Sequence, residues 1–188
     1  MFKRKSSPST DRKSGLKLFI LALFLACLIC VSPTPAEIFQ SQFLRFQLPD
    51  GWHCHLEDDV FVCYPPLPKG HKAPTIIILA AKIAGDDDTL PGYMAYLRKN
   101  RSVTGASSLV EGPKIADDIG KVKWVEATHF ESEIPEFYTT YLATTWNGLS
   151  ILVTFSGHKS VFPRFRDLIL SCINSMEVKD DWKKHTKK

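Results

Sequence analysis

The side chains with the most chemistry to offer are the closely spaced His53, Cys54, His55 and Cys63, with His71 and Cys172 further along. On an extended strand His53 and His55 share one face, and Cys54 points to the other. Two imidazoles at that spacing are the start of a transition-metal site, to which Asp58, Asp59 or His71 would add oxygen or nitrogen. No second ligand pair with metal-type spacing follows. The expectation is therefore two surface histidines on an edge hairpin, with no metal and no cofactor. Cysteine catalysis needs a free thiolate, a histidine and an orienting third group, and Cys54 has another use. With Asp58-Asp59 at the tip of a two-residue hairpin, Glu57 opposes Val60 and Cys54 falls directly opposite Cys63. Counting back from the tip, that pair occupies a non-hydrogen-bonded site, where Cα atoms approach to about 4.5 Å. This is at the edge of what a disulfide accepts, so Cys54 and Cys63 are expected to bridge in an oxidising compartment. Cys172 lies on the apolar stripe of a late helix and reads as a small core residue.

Other reactive patterns are missing from the sequence. It has no Gly-rich phosphate loop, no G-x-S-x-G elbow and no H-E-x-x-H. Glu131, Glu133 and Glu136 sit around Pro135 among apolar residues and read as a solvated strand end. The expectation is a protein without catalytic residues. Aromatic residues are the other resource: Trp124, Phe130, Phe137, Tyr138, Tyr141 and Trp146 crowd the second half. Most belong in a core, where each buries a large apolar area. Tyr141, however, lies on the strand face opposite Leu142, beside Leu152 across a hairpin. That face must be covered by a helix or a partner, and an uncovered apolar groove there would bind one. Tyr141 and Leu152 are the candidate partner-binding residues.

The elements that position these groups are legible from punctuation and periodicity. Phe43, Leu44, Phe46 and Leu48 form a first strand, ended by the turn residues Pro49-Asp50-Gly51. Residues 52–56 and 60–64 are two short strands, and the Pro-rich run 65–70 must be a loop. Residues 75–83, apolar on both faces, suit a central strand. A helix follows, with Asp86 to Thr89 at its start, Arg98, Lys99 and Arg101 at its end, and Leu90, Tyr93, Met94 and Leu97 on one face. Strands are expected over 108–116, 121–132, 136–146 and 149–156. The last two are joined by Asn147-Gly148, a strong hairpin signal. That turn sets Leu142 against Val153 and Thr140 against Phe155, and puts Leu149, Ile151, Val153 and Phe155 on one buried face. A final helix over about 160–178 presents Phe162, Phe165, Ile169, Cys172, Ile173 and Met176 as an apolar stripe. Antiparallel strands with docked helices make the fold class α+β.

The chain has 188 residues, 44% hydrophobic and 23% charged, which excludes a disordered or collagen-like chain. Its net charge of +4 comes from 24 Lys+Arg against 20 Asp+Glu, and it is unevenly spread. Residues 1–36 hold six bases against Asp11, then an uncharged run from Leu18 to Val31, too short to span a bilayer comfortably. The small residues Ser32 to Ala36 follow. This pattern is that of an export signal cleaved between Ala36 and Glu37, with a retained N-terminal anchor as the alternative. The remainder from Glu37 carries 18 bases and 19 acids, and the body 37–178 carries 13 and 17. No basic face is offered to nucleic acid. Residues 179–188, with five Lys and two Asp, read as a solvated basic C-terminal tail.

The run Phe43-Leu44-Arg45-Phe46-Gln47-Leu48-Pro49-Asp50-Gly51-Trp52 resembles the opening strand and Pro-x-Gly-Trp of the PsbP/Mog/DcrB-like superfamily. The strand 149–156, Gly157 and the helix ending Leu168-Ile169-Leu170-Ser171-Cys172-Ile173-Asn174-Ser175-Met176 resemble its close, and Gly112-Pro113 and the Gly120 turn fit between them. The likeness covers nearly all of residues 38–178. It implies an α-β-α sandwich with a central antiparallel sheet of about six or seven strands flanked by helices, and no catalytic residues. With the leader, it implies an exported DcrB-like protein of the bacterial periplasm or envelope that acts on an envelope protein partner, with a mature domain that does not span the membrane. The alternatives are a membrane-tethered chaperone of the secretion-effector type that keeps residues 1–36, and a metal-binding protein or enzyme centred on His53 and His55.

Overall fold

The computed structural model describes residues 37–99 and 108–185. The leader at 1–36, with the Ala36 side of its cleavage site, lies outside the described residues. Glu37 is exposed at the start of the described chain.

Among the described residues, ten strands and three helices follow in order. They are β1 (Ile38–Gln40), β2 (Leu44–Gln47), β3 (His53–Glu57), β4 (Val60–Tyr64), β5 (Thr75–Ile83), α1 (Leu90–Leu97), β6 (Leu109–Ala116), β7 (Trp124–Phe130), β8 (Phe137–Trp146), β9 (Leu149–His158), α2 (Phe162–Asn174), β10 (Glu177–Val178) and α3 (Trp182–His185). Seven strands form one antiparallel sheet in the order β3-β4-β5-β9-β8-β7-β6, and a second sheet has the order β1-β2-β10. The α+β architecture read from the sequence is the one observed.

The β8–β9 hairpin sets the frame. Asn147 and Gly148 have φ of 51° and 80°, the positive pair that a type I′ turn demands. Leu142 therefore faces Val153 and Thr140 faces Phe155, as the spacing predicts. Leu149, Ile151, Val153 and Phe155 are all buried on the inner face. Against them pack Phe162, Ile169, Ile173 and Met176 from and just beyond α2, together with Leu44, Phe46 and Phe39 of the small sheet. Each such side chain contributes about 1.5–3 kcal/mol on burial. The opposite face carries Val125, Ala127, Tyr141 and Ala143, which α1 covers through Leu97 and the half-buried Tyr93 and Met94. The helices thus lie on both sides of the large sheet.

Charge ties α2 down as well. Glu126 is buried on the inner face of β7 and takes Arg166 of α2 at 2.7 Å and Lys114 of β6 at 3.6 Å. A buried carboxylate is retained only with such partners. Beside it the hydroxyls of Thr128 and Thr140 bond each other at 2.7 Å.

Three features depart from the sequence reading, all at the termini. The small sheet was not anticipated, because β1 and β10 are too short to show a period. The helix expected over about 160–178 is α2, which ends at Asn174, since Glu177 and Val178 leave it to pair with Arg45 and Leu44 of β2. Of the segment 179–188 expected to be a solvated tail, the described part is anchored through Trp182, and 186–188 lie outside the described residues. Trp182 is 6% exposed, with its ring 6.1 Å from Phe43 and its edge 3.6 Å from the position a Cβ would take on Gly148.

Trp182→Ala should therefore cost about 3–5 kcal/mol, the range for emptying a large aromatic site. Urea denaturation would register this as a lower midpoint; an unchanged midpoint would mean that the tryptophan is dispensable.

Candidate functional site

The edge hairpin β3–β4 has the predicted register: Glu57 pairs with Val60 and Cys54 with Cys63. Cys54 and Cys63 are joined in a disulfide, with Cα atoms 4.0 Å apart. Cys63 is fully buried on the inner face. His53 and His55 lie on the outer face and are exposed. His53 Nδ1 is 3.6 Å from a Glu37 oxygen, and His55 Nε2 is 2.6 Å from Glu57. Asp58, Asp59 and His71 do not join them. Among the described residues no group of three or more His, Cys, Asp or Glu side chains converges as a metal centre would require. Cys172 is a buried free thiol, pushed up to about 11 by desolvation.

Tyr141 and Leu152 share the outer face, but the register sets them diagonally: Tyr141 faces Thr154 and Leu152 faces Ala143. Their surroundings differ. Tyr141 is 2% exposed in the core that α1 helps to form. Its hydroxyl donates to Glu133 at 2.8 Å and contacts Ser132 at 3.0 Å. Glu133, read from the sequence as part of a solvated strand end, is thus a hydrogen-bond acceptor for a core tyrosine. Leu152 is only half-buried and lines a cleft.

That cleft has a volume of about 750 Å³, within the range typical of ligand sites. Its floor is a row across three strands: Ala80 of β5 opposite Leu152 of β9, and Leu152 opposite Ala143 of β8. Two alanines flanking a leucine leave the depression. Tyr93, Tyr96 and Gly92 of α1 line one wall. A Cβ on Gly92 would meet the Asp87 carbonyl oxygen at 2.4 Å, so glycine is what lets the Asp86–Thr89 loop close on the helix. Thr89 caps α1 by accepting from the Gly92 amide.

One end of the cleft is a polar network. The Tyr93 hydroxyl donates to Ser150 at 2.8 Å, and Ser150 to Asp88 at 3.3 Å. Asp88 also takes the Gly85 amide at 2.8 Å and Lys82 at 3.1 Å, and Thr145 donates to the Asp88 carbonyl. The Gly85 amide, then Lys82 and Ser150, hold the Asp88 carboxyl below its usual 3.8 against the opposing effect of burial. The cleft thus has an apolar floor, aromatic walls and one pinned charged corner, suited to gripping an apolar group beside a polar one.

One buried polar group escaped the sequence reading. His129 is fully buried; its Nε2 donates to the Leu97 carbonyl at 3.1 Å, and its Nδ1 is 3.2 Å from the Ser108 hydroxyl. It ties the end of α1 to β6 and β7, which holds the cleft wall in place. The alternation Val125, Ala127, His129 was the available signal, since it places the imidazole on the face under α1.

No family model and no curated protein matches this chain. Solved structures do. Cyanobacterial PsbP (CyanoP) from Synechocystis sp. PCC 6803 superposes with a TM-score of 0.56 at 17% identity, over 80% of this chain and 96% of that one. The chain has a PsbP-like fold. LpqN of Mycobacterium tuberculosis, described as involved in cell envelope biogenesis, matches with a TM-score of 0.52 at 9% identity, over 78% and 87% of the two chains. A protein of Bacteroides thetaiotaomicron VPI-5482 matches with a TM-score of 0.54 at 12% identity, over 79% of this chain. The matched region spans about half (50%) of that protein's length. No helix among the described residues is long and apolar enough to cross a membrane.

The Asp88 network gives a signed pH dependence. Because its folded pKa is depressed, its stabilisation is complete above the usual 3.8 and is lost as the pH falls through the lower folded value. Thermal midpoints measured down through that window should fall less steeply for Asp88→Asn than for the unaltered chain. Parallel slopes would mean that Asp88 carries none of the acid sensitivity.

Proposed function

We propose that this protein is an exported, non-enzymatic accessory protein of the bacterial envelope that holds a protein partner through the cleft beside α1. The observation that carries the reading is the Ala80–Leu152–Ala143 row, which leaves an apolar floor on a sheet face that α1 covers only in part. The occupant is an apolar side chain of a partner segment, with a neighbouring polar group at the Lys82–Asp88 corner. The Cys54–Cys63 bridge supports an oxidising compartment, and the likenesses to PsbP and to LpqN support an accessory role. Stacked anchors in a small pocket with a polar rim are where binding energy concentrates at protein interfaces.

Two measurements test this. A photo-reactive residue at Leu152, in cells of the native host, should capture a discrete envelope protein, and Ala80→Trp, which fills the cleft, should abolish capture while leaving the thermal midpoint in place. Capture that survives Ala80→Trp would move the contact elsewhere. The intact mass of the protein from its own host should begin at Glu37 and lie two hydrogens below the fully reduced form. A full-length mass with reduced thiols would replace export by the membrane-tethered chaperone.

A further inference from the structure

The two edges of the large sheet are built differently. At one end lies β6, where Pro113 interrupts the ladder, two register shifts break the pairing with β7, and Lys114 adds a charge. Proline, bulges and lysine are the devices by which a sheet edge refuses another strand. At the other end lies β3, His53-Cys54-His55-Leu56-Glu57, with no proline, no shift and no lysine. The Cys54–Cys63 bridge holds it to β4, and its Leu56 is 60% exposed.

Parity decides which backbone groups this edge offers. Glu57 and Val60 form the hydrogen-bonded pair that closes the hairpin, so His55 and His53 also turn their amides and carbonyls toward β4. Those of Cys54 and Leu56 turn the other way, to the free side. The β8–β9 turn imposes the same alternation. Trp146 and Leu149 close that hairpin, which gives the odd positions of β9 to β8 and its even positions to β5. Carried through Ile78↔Thr154 and Phe61↔Leu79, the alternation returns the odd positions of β3 to β4.

We infer that β3 is the contact between two copies of this chain, which pair antiparallel across a two-fold axis at His55. A two-fold contact sets one patch against itself, so the edge must complement its own sequence. Outward positions must also meet outward positions to exchange their bonds. With His55 opposite the second copy's His55, Cys54 meets Leu56 twice, and every outward residue has a partner. A shift in either sense moves one of these partners into the turn closed by Trp52 and Pro49 or into the tip at Asp58. The same register sets His53 opposite the second copy's Glu57, an imidazole against a carboxylate, on both sides of the axis. It also lays each exposed Leu56 beside the second copy's disulfide. An edge of five residues is small beside a standard interface of about 1,600 Å², so the dimer is reversible and forms at micromolar concentrations.

Sedimentation equilibrium of the chain purified from its own host tests the pairing, and a reversible monomer–dimer equilibrium is expected. Leu56→Pro removes an outward amide that the hairpin does not use, and with it two bonds per dimer. It should raise the dissociation constant by about tenfold or more. Leu56→Lys keeps the backbone unchanged and should weaken the dimer by charging the edge. Oxidation of His55→Cys reads the register. On the axis its Cα atoms form a non-bonded pair about 4.5 Å apart, the kind of pair that Cys54 and Cys63 bridge at 4.0 Å, so a disulfide-linked dimer should result. His53→Cys alone should not link, because its counterpart lies four rises or about 13 Å away; mixed with Glu57→Cys it should. A chain that stays monomeric, a dimer that survives both Leu56 variants, or one that links through His53→Cys alone and not through His55→Cys would overturn the assignment. None of these outcomes bears on capture at Leu152, so the edge and the cleft fail independently.

Discussion

The register of the β8–β9 hairpin is the constraint on which the rest depends. A slip of one residue at Asn147-Gly148 would set Leu142 against Leu152 or Thr154 instead of Val153, so that one of the two strands would turn its apolar set to the wrong face. The inner face would lose its fit to α2, and the Ala80–Leu152–Ala143 row would vanish. Both φ values at the turn are positive, which a Gly-containing I′ turn accommodates and few other dipeptides do. From these two central strands β5 extends the sheet on one side and β7 on the other. The sheet's polar buried groups obey the same parity. Glu126 and Thr128 lie on the α2 face, where Arg166 of α2 meets the first and Thr140 of β8 the second, whereas His129 faces α1, where the Leu97 carbonyl meets it.

What was legible in the sequence follows from that parity. Strand pairing within hairpins is a local matter: turn residues fix the sum of the paired positions, and alternation says which face is buried. The Cys54–Cys63 pairing and the Leu142–Val153 pairing were therefore readable from counting alone. The helices were readable because Leu90 to Leu97 and Phe162 to Met176 carry a period and, for α1, a cap. The small sheet was not readable. β1 and β10 have three and two residues, too few to show alternation, and the pairing of β10 with β2 joins positions more than 130 apart, as Arg45 and Glu177 show with a sequence separation of 132. Nothing local encodes such a contact.

The cleft was half legible. Leu152 could be placed on the second face beside Tyr141, but whether that face was open depended on how far α1 reaches, which is a tertiary property. The helix covers Tyr141 and stops short of Leu152, because it is only eight residues long and its N-terminal loop is pinned at Asp88. Asp88 itself looked like one of three equivalent acids favouring a helix start. Its link to Ser150 spans 62 residues, and only the assembled sheet reveals it.

The anchoring of Trp182 bears on how the domain comes into being. β2 lies between a strand from the first residues of the domain and one from its last, and Trp182 seals the same region against Phe43 and the β8–β9 turn. Residues from the two ends of the described domain must therefore meet on β2 before that strand has both of its neighbours, so the small sheet forms only in a chain whose distant segments have already been brought together. Loss of either neighbour would leave an edge of β2 unpaired, the kind of exposed strand edge that invites pairing with another chain.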